Sequence, residues 1–438
     1  MDNLHKFLVV LEGQLAVPCR LMNSIAASFR QAMLAGLSGK PSSLKMLPSF
    51  ISCPTGREQG KIVAVDFGGT NVRVLFVELA GKGKTYIIDR RFFPLRDRLG
   101  TYDYTASSAS GIELFSFIAG KIAEIVPPDG VYPLGHTFSF PCHQYGVNEA
   151  VLISWTKEIK TAGVEGQNVG QLLQQALARN KLGHVFPQAV INDTTGTLLA
   201  AAYNDADTTI GAICGTGHNS CYVEPCHPIS NSPMIVNMES GNFDGIMQTK
   251  YDIILDQASE KPGAQRLEKI ASGQYLGEIV RLIISELATN GHFPETADRL
   301  RVPYSLPTEN LSTILADSSA ELDEVSAVAG SCWGMRNLNA SQLKAIHTIA
   351  RLVTSRSARL VAATWAGVLW KIDPVLSRRH TIAVDGSLYE KMPGYAEQLA
   401  KAMSDILGEK AKLVTIRLSK DGSGIGAAIA AATVFKSV

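Results

Sequence analysis

Two glycine-rich corners, each placed between two strand-like runs, constrain the fold more than any other feature of the sequence. Residues 63–79 read VAVDFGGTNVRVLFVEL, and residues 209–223 read TIGAICGTGHNSCYV. In both stretches β-branched residues flank a short polar turn, a pattern typical of an antiparallel pair of strands. A plain hairpin needs only two turn residues, so these corners carry more polar chemistry than a turn requires. The repeated strand–corner–strand pattern predicts two related halves.

The remaining patterns indicate an α/β chain. Apolar residues at three- and four-residue spacing predict that residues 1–50 are largely helical. Further segments have strand patterns, and these are 61–94 (an antiparallel meander), 132–140, 189–193 and 380–385. Helices are predicted at 111–126, at 170–180, through most of 244–374, and after the turn at 419–424.

Composition excludes several classes of function. The chain has 438 residues and a formal net charge of +1, so no global field attracts nucleic acid or anionic membranes. No apolar run approaches the roughly 18 residues that span a bilayer, and we expect a cytoplasmic protein. The seven cysteines include no CxxC pair. Cys221, Cys226 and His227 lie close together but lack a fourth ligand, which favours reduced core cysteines over a zinc site.

The two corners have the chemistry of phosphate binding. Glycines let a ligand approach the backbone and leave N–H groups pointing outward. Asp66, which precedes the first corner, could hold a hydrated Mg²⁺ through a water molecule. The alternative is a Gly-Gly turn beside a solvated aspartate, because isolated glycine motifs are weak signals. Two matched corners favour phosphate binding.

Other polar residues admit two interpretations each. Asp193 follows a strand end, where it could accept a proton from an attacking hydroxyl, or it could cap a helix that begins near Thr197. Thr156 and Lys157 could supply a hydroxyl and a cation, or belong to an ordinary amphipathic segment. Taken singly, carboxylates such as Glu239 would be surface acids.

Taken together, eight segments resemble motifs of the hexokinase family, in the same order from about residue 61 to the end of the chain. They are 66–74 (DFGGTNVRV), 134–142 (LGHTFSFPC), 154–157 (SWTK), 192–197 (NDTTGT), 215–222 (GTGHNSCY), 268–278 (EKIASGQYLGE), 384–389 (VDGSLY) and 421–424 (DGSG).

This resemblance implies an α/β fold of two actin-like, ribonuclease-H-like lobes that close over a cleft. It also implies a domain division: residues 1–60 as a helical segment on the large lobe, 61–192 as the small lobe with the C-terminal helix 424–438, and 193–423 as the large lobe. The implied activity is transfer of the γ-phosphate of ATP, with Mg²⁺, to the 6-hydroxyl of glucose or a similar hexose.

The resemblance assigns roles residue by residue. Asp193 would be the general base, and Lys157 would lie near the transferring phosphoryl group. The residues expected to bind the sugar are Ser139, Thr156, Lys157, Asn192, Asp193, Asn219, Glu239, Gln265 and Glu268. Those expected to face the nucleotide and its phosphates are Asp66 (through Mg²⁺), Gly68, Gly69, Thr70, Asn71, Gly215, Thr216, Asp385, Gly386, Ser387, Gly422 and Ser423.

Four positions depart from the usual family pattern. Ser240 replaces a tryptophan and Asn242 an alanine beside the expected sugar pocket, so these changes bear on hexose preference. His218 replaces a threonine at the second corner, where a structural imidazole is favoured over a proton switch. Ile425 stands where a lysine is frequent, which removes one cation from the phosphate region.

Three alternatives to a glucose kinase remain open. The first is a kinase for mannose, fructose or an amino sugar. The second is a non-catalytic sugar sensor, although Asp193, Lys157 and Asp66 are intact. The third is an actin- or chaperone-like ATPase, which would share the corners without needing the sugar-binding segments. The sequence does not indicate an oligomeric state.

Overall fold

The computed structural model describes residues 3–69, 71–156, 158–293 and 297–435. Two predicted site residues, Thr70 and Lys157, therefore lie outside the described residues. The strands are β1 (Leu47–Pro48), β2 (Gln59–Phe67), β3 (Asn71–Gly81), β4 (Lys84–Pro94), β5 (Tyr132–Phe138), β6 (Cys142–Gly146), β7 (Glu149–Leu152), β8 (Val185–Ile191), β9 (Thr208–Cys214), β10 (His218–Glu224), β11 (Met234–Asn237), β12 (His380–Asp385) and β13 (Val414–Leu418).

The helices are α1 (Asn3–Leu15), α2 (Cys19–Leu37), α3 (Gly111–Ala123), α4 (Val169–Arg179), α5 (Asp193–Ala202), α6 (Lys250–Ala258), α7 (Arg266–Ala271), α8 (Gly273–Thr289), α9 (Ala297–Leu300), α10 (Thr308–Ala316), α11 (Asp323–Trp333), α12 (Ala340–Ile372), α13 (Ser387–Lys391), α14 (Tyr395–Leu407) and α15 (Gly422–Val434). In the part of the chain that the structure describes, no helix has both the length and the apolar character needed to cross a membrane.

Two sheets with the same topology form the framework. The first has the order β4-β3-β2-β5-β8, and the second has the order β1-β11-β10-β9-β12-β13. Both sheets contain three antiparallel strands followed by two strands parallel to the first of them, and in the second sheet β1 is added at the edge, antiparallel to β11. Each glycine-rich corner connects the first and second strands of its sheet, and the predicted pair of related halves is confirmed.

Helices α5 and α15 lie between the two sheets. Their apolar residues share one core with the inner faces of β2, β3, β8, β10 and β11. Glycines allow the close approach: a Cβ atom on Gly426 would overlap the carbonyl group of Gly196, and one on Gly135 would overlap that of Ala427. Backbone therefore packs against backbone where α15 crosses α5 and β5.

Each sheet also has an outer core. Helices α3 and α4 cover the first sheet, with Phe115, Ile118 and Leu173 fully buried there. The large helical region and the N-terminal helices cover the second, where Phe29 of α2 packs edge-on against Phe243 at 4.9 Å between ring centroids. The N-terminal helices pack on the second sheet and α15 packs on the first. The domain division stays a prediction.

The structure corrects some element boundaries. The helix near Asp193 begins at that residue and not near Thr197, because Asn192 is its N-cap. Helix α3 ends at Ala123 instead of continuing to residue 126. The meander at 61–94 is confirmed, and its hairpin turn has positive φ at both Lys82 and Gly83, as a two-residue type I′ turn requires.

Candidate active site

Asn192 and Asp193 are placed by the junction of β8 and α5. The Asn192 side-chain oxygen accepts the backbone N–H of Thr194 at 2.9 Å and the Thr194 hydroxyl at 2.7 Å, which satisfies donors at the helix start. Asp193 Oδ1 accepts the same N–H at 2.8 Å. The first residue of α5 is therefore a carboxylate, at the helix end where negatively charged side chains are stabilising. The capping interpretation of Asp193 is wrong, because Asn192 fills that position.

A partly buried pair of amides contacts Glu239. Asn237 donates to Glu239 Oε1 at 2.8 Å, and Asn219 donates to the same oxygen at 3.3 Å. Asn219 also donates to the Asn237 side-chain oxygen at 3.0 Å. Burial raises the pKa of Glu239 above its usual value, and the negative charge of Asp193 adds to the rise, while both amides oppose it. The network presents carboxylate and amide groups that can both accept from and donate to a polyol.

Glu268 connects the second corner to α7. Its Oε2 accepts the backbone N–H of His218 at 2.8 Å, and its Oε1 accepts the amide of Gln265 at 2.9 Å. A Cβ atom on Gly217 would lie 2.9 Å from Glu268 Oε2, so only glycine allows this approach. Two predicted segments are thus joined, because Glu268 in the first turn of α7, held by Gln265, contacts the second corner next to Asn219.

Ser139 follows β5 beside a cluster of aromatic rings. The rings of Phe67, Phe138, Phe140 and Trp155 stack at 4.8–6.0 Å between centroids, and Ser139 N–H donates to the carbonyl of Phe67 at 3.2 Å. This packing accounts for the many aromatic residues in the segment that is predicted to contact the sugar, because the rings hold the backbone after β5 in place.

Side chains of both sheets line the space between these groups. A cavity of about 40 Å³ has Phe138, Cys142, Asn192, Thr195 and Glu239 among its lining residues. A wider opening of about 690 Å³ is lined by Trp155, Thr156, described residues within 158–165, and Glu260. Of the predicted sugar-binding residues, Asn192 and Glu239 thus line the small cavity, and Thr156 lines the wider opening.

Asp66 is held by two partners at the first corner. Its Oδ2 accepts from Arg73 Nη2 at 2.5 Å and from Ser423 Oγ at 2.5 Å. Asp66 and Arg73 are direct cross-strand neighbours of β2 and β3, which accounts for the ion pair. Arg73 Nη1 also donates to Asp421, the N-cap residue of α15, at 2.6 Å.

Asp385 and Gly386 meet the second corner. Asp385 Oδ1 accepts the Gly386 N–H at 2.7 Å, and burial raises the pKa of this carboxyl group. Gly386 has a φ of 118°, and a Cβ atom there would overlap the backbone of Cys214 and Gly215. The carbonyls of Gly215 and Thr216 accept from the first residues of α8 at 2.8 and 3.1 Å, which makes the corner rigid.

Contacts between α5 and α15 connect the predicted sugar-binding residues with the predicted nucleotide-binding residues. A Cβ atom on Gly422 would lie 2.9 Å from the Cα atom of Thr197, one turn after Asp193. Among the predicted nucleotide residues, Ser387 begins α13, Asn71 begins β3, and Gly68 and Gly69 form the first corner. Thr70 and Lys157 lie outside the described residues.

His218 and Ser240 are buried, and Asn242 is half-buried. Burial lowers the pKa of His218 to about 4, which keeps the ring neutral near pH 7 and disfavours a proton switch there. The Asn242 side chain donates to the backbone carbonyl of Glu239 at 3.2 Å. The Ser240 N–H donates to Asn219 at 3.1 Å, and the Ser240 hydroxyl has no hydrogen-bond partner among the described residues.

Four polar residues of the site were not singled out from the sequence. Arg73, Asn237 and Asp421 lie inside or beside quoted motifs, yet nothing local in the pattern marks their partners. Thr195 lines the small cavity, and its buried hydroxyl lacks a partner among the described residues. Thr195 could have been identified from the sequence as a polar residue near the start of a helix, at a position that packs against the protein interior.

The donor set of Asp66 at the first corner and Asp385 beside the second corner fits a hard cation that also binds phosphate. Asp66 and Asp385 provide oxygen ligands, and Mg²⁺ is usually held by one or two carboxylates, water and substrate phosphates. Within the described ranges, no group of three or more histidine, cysteine or acidic side chains could hold a metal ion by itself. The residues present therefore suit a metal that arrives with its nucleotide.

Comparison with known proteins agrees with this geometry. Two models described as hexokinase match residues 8–203 and residues 209–433. Hexokinase-1 of Schizosaccharomyces pombe is 36% identical over 96% of this chain and 89% of its own length, and Hexokinase-7 of rice is 35% identical over 98% and 96%.

Solved structures give the same result for the fold. A hexokinase crystal structure matches with a TM-score of 0.90 and 33% identity over 99% of this chain and all of that one. A hexokinase from Schistosoma mansoni complexed with glucose matches with a TM-score of 0.85 and 33% identity over 98% and 99%. The predicted two-lobed actin-like fold is confirmed, and the chain belongs to the hexokinase family, whose members phosphorylate hexoses with ATP.

Proposed function

We propose that this hexokinase transfers the γ-phosphoryl group of Mg-ATP to the 6-hydroxyl of glucose. The observation that carries the proposal is the amide–carboxylate network of Asn219, Asn237 and Glu239 beside Asp193. Such a pocket pairs with hydroxyls that donate and accept at once. The similarity to a glucose complex favours glucose among the hexoses.

In this proposal Asp193 is the general base. Its carboxylate lies at the start of α5 and can take the proton of the attacking hydroxyl. Asn192, Asn219, Glu239, Gln265 and Glu268 would orient the sugar, together with Ser139 and Thr156. Positioning and charge neutralisation supply most of the catalysis in phosphoryl transfer. Lys157, outside the described residues, is proposed on the family resemblance alone to lie near the transferred group.

The two corners would hold the nucleotide. Gly68, Gly69, Thr70 and Asn71 would contact phosphates from the small lobe. The large-lobe contacts are assigned to Gly215, Thr216, Asp385, Gly386, Ser387, Gly422 and Ser423. Mg²⁺ supplies neutralisation of phosphate charge, and Asp66 would hold it through water. Arg73 and Ser423 fix the orientation of the Asp66 carboxylate for this role.

The substitutions near Glu239 are consistent with a retained glucose preference. Asn242 supports the backbone of Glu239 and not its carboxylate, and Ser240 contacts Asn219 through its backbone. Kinases for mannose, fructose or an amino sugar are the alternatives within the family. A cytoplasmic location stays a prediction.

The test is sugar-dependent release of ADP from Mg-ATP. Glucose, mannose, fructose, galactose and N-acetylglucosamine are compared with a control that lacks sugar. We expect turnover with glucose and little ATP hydrolysis without sugar. Binding of sugar by calorimetry without any turnover would favour a sensor, and equal hydrolysis with and without sugar would favour an ATPase. Turnover with a different hexose alone would correct the substrate.

A further inference from the structure

Besides Arg73, a second arginine reaches the first glycine-rich corner, and it comes from β4. Arg90 lies on β4, the outer strand of the first sheet, and its Nη1 donates to Asp421 Oδ2. The other oxygen of Asp421 accepts from Arg73, which also holds Asp66. Asp421 is therefore shared by two guanidinium groups that come from neighbouring strands.

The phenyl ring of Phe92 fixes the spacing of the two arginines. The guanidinium carbon of Arg73 lies 5.8 Å from the ring centroid, and that of Arg90 lies 5.9 Å from it. Arg73 and Phe92 are direct cross-strand neighbours of β3 and β4. Cation–π contacts of this kind contribute about 0.5–1 kcal/mol each at exposed sites. The pair is thus held in place before any ligand binds.

The balance of charged side chains around Asp66 and Asp421 shows what Arg90 contributes. Asp66, Asp385 and Asp421 bring three carboxylates to this corner, while Arg73 contacts two of them directly. Lys420 lies near Asp421, but its ammonium group is exposed and pairs with Glu390 at 2.5 Å. If Arg90 were removed, Arg73 would have to neutralise Asp421 as well as Asp66, and the Asp66 carboxylate would be held less firmly.

We propose that Arg90 is a positioning residue for Mg-ATP, acting through Asp421 and Arg73 to keep the Asp66 carboxylate oriented toward the metal-bound phosphates. The proposal rests on the proposed role of Asp66. It does not require Arg90 to touch the nucleotide. Sugar binding should be independent of Arg90, because its contacts lie on the α15 side of the first sheet.

The main variant is Arg90→Ala, and Arg91→Ala is its matched control. Arg91 is the next residue on β4, is similarly exposed (46% against 39% for the side chain), and pairs with Asp89 at 2.8 Å instead of reaching α15. We expect Arg90→Ala to raise KM for Mg-ATP and Kd for Mg-ADP by roughly three- to tenfold, since one partly exposed ion pair is lost. KM for the sugar should stay within about twofold, and Arg90→Lys should restore part of the loss.

A double-mutant cycle tests whether Arg90 acts through Asp421. Asn is the matched replacement for Asp421 because it tolerates the left-handed backbone (φ 56°) at that position. In the Asp421→Asn background, Arg90→Ala should change Kd for Mg-ADP by less than about twofold. An equal effect in both backgrounds, or no effect of Arg90→Ala in the parent enzyme, would overturn the proposal.

Assays of the parent enzyme distinguish failure of this inference from failure of the proposed function. If the parent enzyme phosphorylates no hexose, the proposed function fails, whereas calorimetry with Mg-ADP still measures the contribution of Arg90 to nucleotide binding. Parent protein that binds no Mg-ADP would overturn the inference as well. Thermal unfolding of each variant confirms that an affinity change is not a loss of fold.

Discussion

His136 occupies the middle of β5 and is fully buried. Neither ring nitrogen has a hydrogen-bond partner among the described residues, and burial lowers the pKa of His136 to about 3. The unfolded chain binds a proton at this residue near pH 6.5, but the folded chain does not until about pH 3. The contribution of His136 to folding stability is therefore complete above pH 6.5 and is lost as the pH falls from 6.5 toward 3.

Replacing His136 by phenylalanine should stabilise the protein. The ring of Phe138 already lies 5.4 Å from the imidazole, so an aromatic side chain fits the surroundings, and two unsatisfied polar atoms are removed. We expect an increase of about 1–2 kcal/mol in unfolding free energy at pH 8 and a larger increase at pH 5. Thermal unfolding at both pH values measures this. His143→Phe, on an exposed position of β6, is the control, and equal pH dependence in parent and His136→Phe would contradict the assignment.

Asp193→Asn should separate catalysis from binding. The amide keeps the shape of the side chain at the start of α5 but cannot take a proton from the sugar hydroxyl. We expect kcat to fall by about 10²–10⁴, with the sugar Kd nearly unchanged. Steady-state kinetics and calorimetry measure the two quantities. Near-normal turnover by a variant that still binds sugar would rule out Asp193 as the base.

Local motifs allow a residue to be predicted from the sequence, but they do not reveal contacts between distant parts of the chain. Asp66, Glu239 and Glu268 were predicted as site residues because each lies in a recognisable segment, and their roles stay predictions. Asp421 was not predicted as a site residue, since its partners Arg73 and Arg90 are more than three hundred residues away in the chain.

At the scale of helices and strands, the close crossing of α15 over α5 depends on glycine residues. A methyl group on Gly426 would overlap the Gly196 carbonyl, so Gly426→Ala should push α15 away from α5 and displace Ser423 and Asp421. We expect a loss of about 1–3 kcal/mol in stability, from overpacking, and a raised KM for Mg-ATP. Gly120→Ala in α3 is the matched control, because a Cβ atom there meets nothing within 4 Å. A Gly426→Ala enzyme with parental stability would contradict the close packing.

A buried ion pair connects α12 to α6. Arg356 contacts both oxygens of Asp252, at 2.9 and 2.7 Å, and both side chains are almost fully buried. Arg356→Met should cost about 3–5 kcal/mol, because it leaves the Asp252 carboxylate without its cation. Lys250→Met, which removes an exposed pair with Glu286, should cost less than about 1 kcal/mol. Unfolding in urea measures the loss of stability in both variants. Similar losses would show that burial of an ion pair does not determine its contribution to stability.

Element types were more predictable than element limits. Strand patterns around the corners and the helical region after residue 244 were recognisable from hydrophobic spacing. The start of α5 was missed because Asn192 and Asp193 are both good capping residues, and the choice between them depends on where β8 ends. The end of α3 was missed because residues 124–126 continue the apolar pattern beyond the last helical turn.

At the scale of the molecule, the cavity beside Glu239 is lined from both sheets. A sugar that contacts both sides should draw the lobes together, and glucose should therefore lower the radius of gyration in solution scattering. At a glucose concentration about a hundred times Kd, binding to the folded state should add about 2.7 kcal/mol to its stability. Galactose or another hexose that fails to turn over is the control. An unchanged radius with saturated binding would indicate that the lobes do not move.

The two-lobed arrangement was predictable because the strand–corner–strand pattern occurs twice. What the sequence could not indicate is the layering, in which α5 and α15 from different parts of the chain share the space between the sheets. This layering depends on backbone contacts at Gly135, Gly196 and Gly426, and a glycine in a sequence does not reveal what approaches it.

The position of α15 also has a consequence for protein synthesis. Strands β2, β3, β5 and β8 leave the ribosome early, but the helix that covers their inner face is made after every other helix and strand described here. Throughout translation of the large lobe, the nascent small lobe exposes an apolar sheet face. Transiently exposed apolar surface promotes aggregation, so we expect the unfinished chain to be a substrate for ribosome-associated chaperones. Co-translational folding of the small lobe would be completed only when α15 emerges.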